Sequence, residues 1–351
     1  MNYLETLYFI GKCLTLSHEE KNRSKVLTIL KNEDVNWESV VKVSTAHLVF
    51  PALYCNLKEV AFLHLLPKDL VQHMESIYHL NHDRNLEIIA QAKEINILLL
   101  ENNIIPIFLK GTSFLIENLY DNIGERMIGD IDFLVDDKHF VKTVKLLRDY
   151  GYNTAMKEKH IIFVHRHYPR MVKKSSIAAI EIHDNVISNK YSKDYNYNLF
   201  LDGLRKFDNF SIPSIKNQIV HNCINKQFSD QGSCYKSLTL RNSYDLLKLS
   251  LKENTLNAIK PHKYHSNLFS TYIGSSKILF DADSLVYEKN LIVSYQITLI
   301  FLFTKNPILF KLNKMYCDFI TDFKKKAKKL LKLLYKKEFW SYYFDKINKR
   351  V

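Results

Sequence analysis

The sequence predicts an α+β protein, a small α/β unit carried between two helical regions. Three observations predict it. Only 8 Gly and 7 Pro occur in 351 residues, and so few breakers favour long helices over a loop-rich or all-β fold. Apolar residues recur at helical spacing up to Glu101 and again beyond Asp194, as amphipathic helices require. Between these regions lie short runs rich in β-branched residues, the pattern of buried strands.

In chain order, Val26, Ile29 and Leu30 repeat at helical spacing, as do Ile88, Ile89, Ala92, Ile95, Leu98 and Leu99. Asn102-Asn103 closes that helix, since Asn tolerates the left-handed cap. Residues 104–109 then read as a strand, Lys110-Gly111-Thr112 as a break, and 113–120 as a helix. Residues 130–135 alternate as a second strand. Residues 140–150 form a helix with Val141, Val144, Leu146 and Leu147 as its apolar stripe, ending at Gly151. Strands follow at 161–165 and 177–183. The expected division is a helical region over 1–87, an α/β core over 88–190 and a second helical region over 191–351. In the last, helices are expected at 219–224, 241–251 and 295–303. A C-terminal helix has Phe319, Phe323, Ala327, Leu330, Leu331 and Leu334 on one face.

Bulk properties narrow the class. The formal charge is +13, from 50 Lys+Arg against 37 Asp+Glu. That balance suits a polyanionic partner such as nucleic acid, a nucleotide or an acidic membrane surface; a Lys-, Asn- and Ile-heavy composition explains it equally well. Cys13, Cys55, Cys223, Cys234 and Cys317 are scattered and form no CxxC pair. Neither a disulfide framework nor a zinc knuckle is suggested, so a cytoplasmic setting is the expectation. Residues 1–15 lack the basic and small-residue marks of a signal peptide. The apolar run 291–303 is short for a membrane span, which needs roughly 20 residues, and reads as a buried helix.

The chemistry concentrates in the core strands and the turn between them. Residues two apart on a strand share a face, so Asp130 and Asp132 project together while Ile131, Phe133 and Val135 enter a core. Two such carboxylates repel each other unless a cation intervenes. Mg²⁺ is the fitting ion, because it takes one or two carboxylates together with substrate phosphates; Mn²⁺ is the alternative. Gly111 lets the backbone approach a phosphate closely, Thr112 adds a hydroxyl and Lys110 a positive charge. Arg126 is spaced to hold a triphosphate through a forked contact. On 177–183, Glu181 and His183 share a face. An acid in so apolar a strand is costly without a metal or partner. Glu181 is therefore expected as a third metal ligand, a general base, or both, with His183 bonded to it or touching substrate.

Each element alone has an ordinary explanation. Asp-x-Asp occurs on solvated strand edges and Lys-Gly-Thr in plain strand-to-helix turns; the order of the parts is what distinguishes them. That order resembles the DNA polymerase β-like nucleotidyltransferase superfamily, and more narrowly the bacterial branch called nucleotidyltransferase family 5. The resemblance rests on Leu109-Lys110-Gly111, Leu119-Tyr120, Arg126 and the Gly129-Asp130-Ile131-Asp132-Phe133-Leu134-Val135 stretch. Gly151-Tyr152 and Glu181-Ile182-His183 continue it, with echoes at Trp37, Ala46-His47, Pro51, His221, Leu240-Arg241 and Asp245-Leu246. It implies a small mixed sheet with helices, flanked by helical regions. It also implies metal-dependent transfer of an NMP from an NTP to a hydroxyl acceptor, with release of pyrophosphate. The superfamily's Gly-Ser pair is replaced here by Gly111-Thr112, and the stretch leading to the Asp pair is longer. Lys-Gly and the upstream Arg are shared with abortive-infection toxins of the superfamily. A toxin-like enzyme acting on tRNA or protein is therefore one rival, and a nucleotide-binding protein without catalysis another.

Other signals carry less. His160, His165 and His167 lie close together but lack the cysteines or second spaced pair of a zinc site. The basic stretch 324–337 reads first as the solvated face of a terminal packing helix, ahead of a nucleic-acid or acidic-surface contact. The Tyr342-Tyr343-Phe344 cluster reads as packing.

Overall fold

The computed structural model describes residues 1–32, 34–154, 168–187 and 194–335, with the side chains of 325 and 328–335 excepted. The N-terminal helices are α1 (Tyr3–Cys13), α2 (Glu20–Asn32), α3 (Trp37–Ala46), α4 (Phe50–Glu59) and α5 (Lys68–Glu101). The central elements are β1 (Ile107–Phe108), α6 (Lys110–Ile116), β2 (Asp130–Leu134), α7 (Asp137–Asp149) and β3 (Ala179–His183). After α8 (Tyr197–Leu201) come β4 (Arg205–Phe207) and β5 (Phe210–Ile212). Helices α9 (Ile215–Ile224), α10 (Gly232–Tyr235), α11 (Leu240–Ser250) and α12 (Thr255–Ile259) follow. The last three are α13 (Ser266–Phe280), α14 (Leu291–Lys305) and α15 (Pro307–Tyr335).

The five strands form one mixed sheet in the order β3-β2-β1-β5-β4. β1 runs antiparallel to β2 and parallel to β5, and β2 runs parallel to β3. The β4–β5 hairpin supplies two strands within the region expected to be helical. Its strands are three residues long, too short for period-two alternation to register. The expected strand at 161–165 lies outside the described residues.

The pleat sorts side chains as the alternation predicts. Ile131, Phe133 and Val135 are fully buried with Phe108, Ile180 and Ile182 against the C-terminal half of α5 and the inner face of α7. On α7, Val144 and Leu147 are buried, but Val141 is exposed: it lies beyond the edge of the packed stripe. The opposite face carries Asp130, Asp132, Glu181 and His183. Leu134, on that same face, joins a second core shared by N- and C-terminal helices together with Ile107 and Leu109. Helix α5 runs unbroken across position 88 and serves both cores, Met74 in one and Ile88 to Leu99 in the other. It ends where the Asn pair predicts. Asn103 adopts φ 60° and Ile104 N–H donates to the Leu99 carbonyl, satisfying a carbonyl left open by the helix end.

Three expectations about the C-terminal region are corrected. Cys234 and Cys317 are joined in a disulfide between α10 and α15, their Cα atoms 6.1 Å apart. Their separation of 83 residues hides that pairing from any local spacing rule. Helix α14 is not buried throughout: Val293, Ile297 and Ile300 are inside, while Leu291, Ile292 and Tyr295 are exposed. Phe319 and Phe323 of α15 are also exposed, so the described part of this apolar face does not pack as expected. Among the described residues no single helix is long and apolar enough to cross a membrane.

Candidate active site

The site begins at the turn between β1 and α6. Leu109 N–H donates to the Asp132 carbonyl, extending the β1–β2 ladder by one bond. Lys110 then takes φ 54°, a left-handed conformation that costs a side-chain-bearing residue energy and clusters at functional positions. The turn carries its ammonium to 2.5 Å from Asp132 Oδ1. Gly111 lies against Ile128: a Cβ there would sit 3.0 Å from Ile128 Cγ1. Thr112 is buried and its hydroxyl donates to the Asp130 carbonyl at 3.4 Å.

The parallel register of β2 and β3 places Asp132 beside Glu181 and Leu134 beside His183. Asp132, Glu181 and His183 consequently converge, with one ligand atom from each lying within 4.8 Å of the others. His183 Nε2 is 2.9 Å from Asp132 Oδ1 and 3.8 Å from Glu181 Oε2. Burial acts to raise the Asp132 pKa, but Lys110 and His183 outweigh it and hold the carboxyl well below its ordinary value. Asp132 is thus an anion in the protein's interior, balanced by the Lys110 ammonium and hydrogen-bonded to His183, as burial of charge demands. Asp130 stands apart from this trio and accepts a bond from Arg170, a residue that no local motif singles out. Two carboxylates and an imidazole form a donor set that suits a divalent cation.

Arg126 occupies different surroundings. Its Nε and Nη2 donate to the two carboxylate oxygens of Asp245 at 2.6 and 2.8 Å, and Nη1 donates to the Met127 carbonyl. Tyr120 also donates to Asp245. Asn81 and Asn85 of α5 both hold the Arg126 carbonyl. One turn along α11 from Asp245, Lys248 bonds Asp121 at 2.8 Å, and next to Asp245 the Tyr244 hydroxyl donates to Glu125. Burial pushes the Glu125 pKa up to about 7 despite that bond and the nearby Lys248. The segment between α6 and β2 is therefore clamped between α5 and α11.

A polar cleft of about 150 Å³ opens between this clamp and the acids, lined by Lys110, Arg126, His221, Asn222, Arg241 and Asp245 among others. Lys110 belongs to both places, bonding Asp132 and facing the cleft. Arg241 is the cleft's distinctive group. It forms no hydrogen bond or ion pair among the described residues, and burial, with Arg126 nearby, lowers its pKa. Its position in the sequence was visible only as an echo of the family pattern, because a single Arg at a helix start has no local signature.

This arrangement, a small mixed sheet with acids and a cationic turn on one open face, fits a transferase of nucleotidyl groups. A family model described as an uncharacterised nucleotidyltransferase matches residues 33–259, more than half of the chain, and the chain belongs to that family. No curated protein and no solved structure matches it. The matched span covers every site residue named above, including the cleft and α11.

Proposed function

We propose that the protein transfers an NMP from an NTP to a hydroxyl acceptor and releases pyrophosphate. The convergence of Asp132, Glu181 and His183 beside Lys110 carries this reading. Asp132 and Glu181, with Asp130 at the strand end, would hold Mg²⁺ or Mn²⁺. Such an ion supplies charge neutralisation for the triphosphate and acidifies the attacking hydroxyl. Ion entry requires Lys110 to leave Asp132 and Arg170 to leave Asp130. Lys110 is then free for the phosphates, beside Arg241, which makes no hydrogen bond or ion pair among the described residues. Arg126, occupied by Asp245, forms the wall of the cleft.

In the reaction the acceptor oxygen bonds to the α-phosphorus as the bond from that phosphorus to the pyrophosphate oxygen breaks. Glu181, partly open to solvent, accepts the hydroxyl proton. His183 orients Asp132 and Glu181 from below. Gly111 and Thr112 shape the turn and bring it next to the strand end. An RNA acceptor, the toxin-like version of the same chemistry, and a small hydroxyl compound are the two acceptor classes to compare.

The test is the double variant Asp130→Asn with Asp132→Asn. NTP turnover dependent on divalent metal should fall by roughly 10³-fold or more, as when a site's main electrostatic element is removed, while the variant melts cooperatively. Unchanged turnover would refute the mechanism. Incubation with labelled NTPs and total RNA, compared with small hydroxyl compounds, identifies the acceptor class.

A further inference from the structure

Helix α15 is docked the wrong way round for a soluble protein. An amphipathic helix normally turns its apolar stripe inward and its polar face to water. Here the docked face is held chiefly by polar side chains, with Phe310 and Ile320 half-buried beside them. Asn313 donates to the Cys234 and Tyr235 carbonyls at 3.1 Å each, Thr321 donates to Gln231 at 2.9 Å, and Asp318 accepts from the Tyr235 hydroxyl at 2.7 Å. Cys317, buried on this face, ties the helix to α10 through the disulfide. The outward face carries Ile308, Leu312, Met315, Tyr316, Phe319 and Phe323, each between 57% and 72% exposed. Their spacing of three and four residues places them on one stripe. Four residues, three through hydrogen bonds and one through the disulfide, hold that stripe away from the core.

We infer that α15 is a membrane-docking helix that lies in the surface of an anionic bilayer. Charge selects the occupant. The sequence of the helix holds eight lysines, Lys311, Lys314, Lys324, Lys325, Lys326, Lys328, Lys329 and Lys332, against two acids, Asp318 and Asp322, and Asp318 is engaged by Tyr235. A second copy would bring the same cationic helix alongside its like, which opposes pairing. A soluble polyanion would match the lysines but leave the stripe in water. An acidic bilayer meets both, burying the apolar side chains at the acyl boundary while lysines meet the headgroups. Tyr316, Phe319 and Phe323 suit that boundary. The helix is not apolar enough to span, so it rests in the surface plane.

The test uses the purified full chain with vesicles of phosphatidylcholine alone or with phosphatidylglycerol added. Cosedimentation should be strong with anionic vesicles, weaker with neutral ones, and should decline as salt shortens the screening length. The double variant Phe319→Ser with Phe323→Ser should keep its melting temperature, because both side chains already face water. It should lose vesicle affinity by at least about tenfold, the scale set by two buried aromatic side chains. Three results would each overturn the inference: no binding to anionic vesicles, binding that the double variant leaves unchanged, or a wild-type dimer in light scattering that ignores vesicles and is abolished by the double variant.

Discussion

Two carboxylates are each held by a basic side chain that lines the cleft, and the two pairs have opposite characters. Asp132 meets Lys110 through one contact to one oxygen, at the mouth of a cleft, with the lysine about a quarter exposed. Asp245 meets Arg126 through both oxygens, with Tyr120 as a further donor, and both partners are more than nine-tenths buried. A lysine ammonium is a flexible point charge that can be exchanged for another cation, whereas a forked guanidinium contact fixes both partners. The first pair is built to open and the second to stay closed. The lesson is that an ion pair next to a site takes its role from enclosure and the number of contacts, not from the residue types.

The largest way to break this contrast is Asp245→Ala. It would leave Arg126 buried without its counter-ion, at a cost of about 3–5 kcal/mol in chemical unfolding. Loss of activity with undiminished stability would instead make Asp245 a participant in the chemistry. Removing both charges, as Arg126→Met with Asp245→Leu, should recover much of that loss, because a buried pair is worth little against apolar packing.

Glu125 sharpens the closed side next. Its folded pKa of about 7 lies above the ordinary carboxyl value. Its contribution to stability is therefore fully present below the unfolded pKa and is lost as pH rises through about 7. Between those limits the cost grows to about 3 kcal/mol. Glu125→Gln should flatten this dependence, raising the melting temperature at pH 8 relative to wild type more than at pH 5. A wild-type profile that the variant reproduces would place the Glu125 pKa elsewhere.

Arg241 provides the smallest and most discriminating effect. Because it makes no hydrogen bond or ion pair among the described residues, it should leave stability almost unchanged when altered. Arg241→Gln should weaken NTP binding by about tenfold, the size of one lost charge-assisted contact of about 1.4 kcal/mol. Calorimetry with a non-hydrolysable NTP reads this directly. Equal affinity in the variant would leave the phosphates to Lys110 alone.

Much of the site was legible in the sequence. The alternation around Ile131, Phe133 and Val135 fixed the face of Asp130 and Asp132, and the 177–183 run did the same for Glu181 and His183. The Asn pair ending α5 and the Gly ending α7 were equally readable. These features are local: a period of two or a left-handed cap depends on residues within a few positions of each other. The order of these parts along the chain then carried the family resemblance.

What the sequence by itself determined is the set of secondary elements around the core and which acids share a strand face. Tertiary structure alone decided which cation each acid meets. Arg126 was spaced to reach a triphosphate but is claimed by Asp245, 119 residues away. Asp130 is held by Arg170, Cys317 by Cys234, and the face of α15 that docks is the chiefly polar one. Each of these is a contact between distant segments, set by how helices and sheet edges pack. No local periodicity encodes it, because the same amphipathic pattern permits a helix to present either face to whatever the rest of the chain brings near.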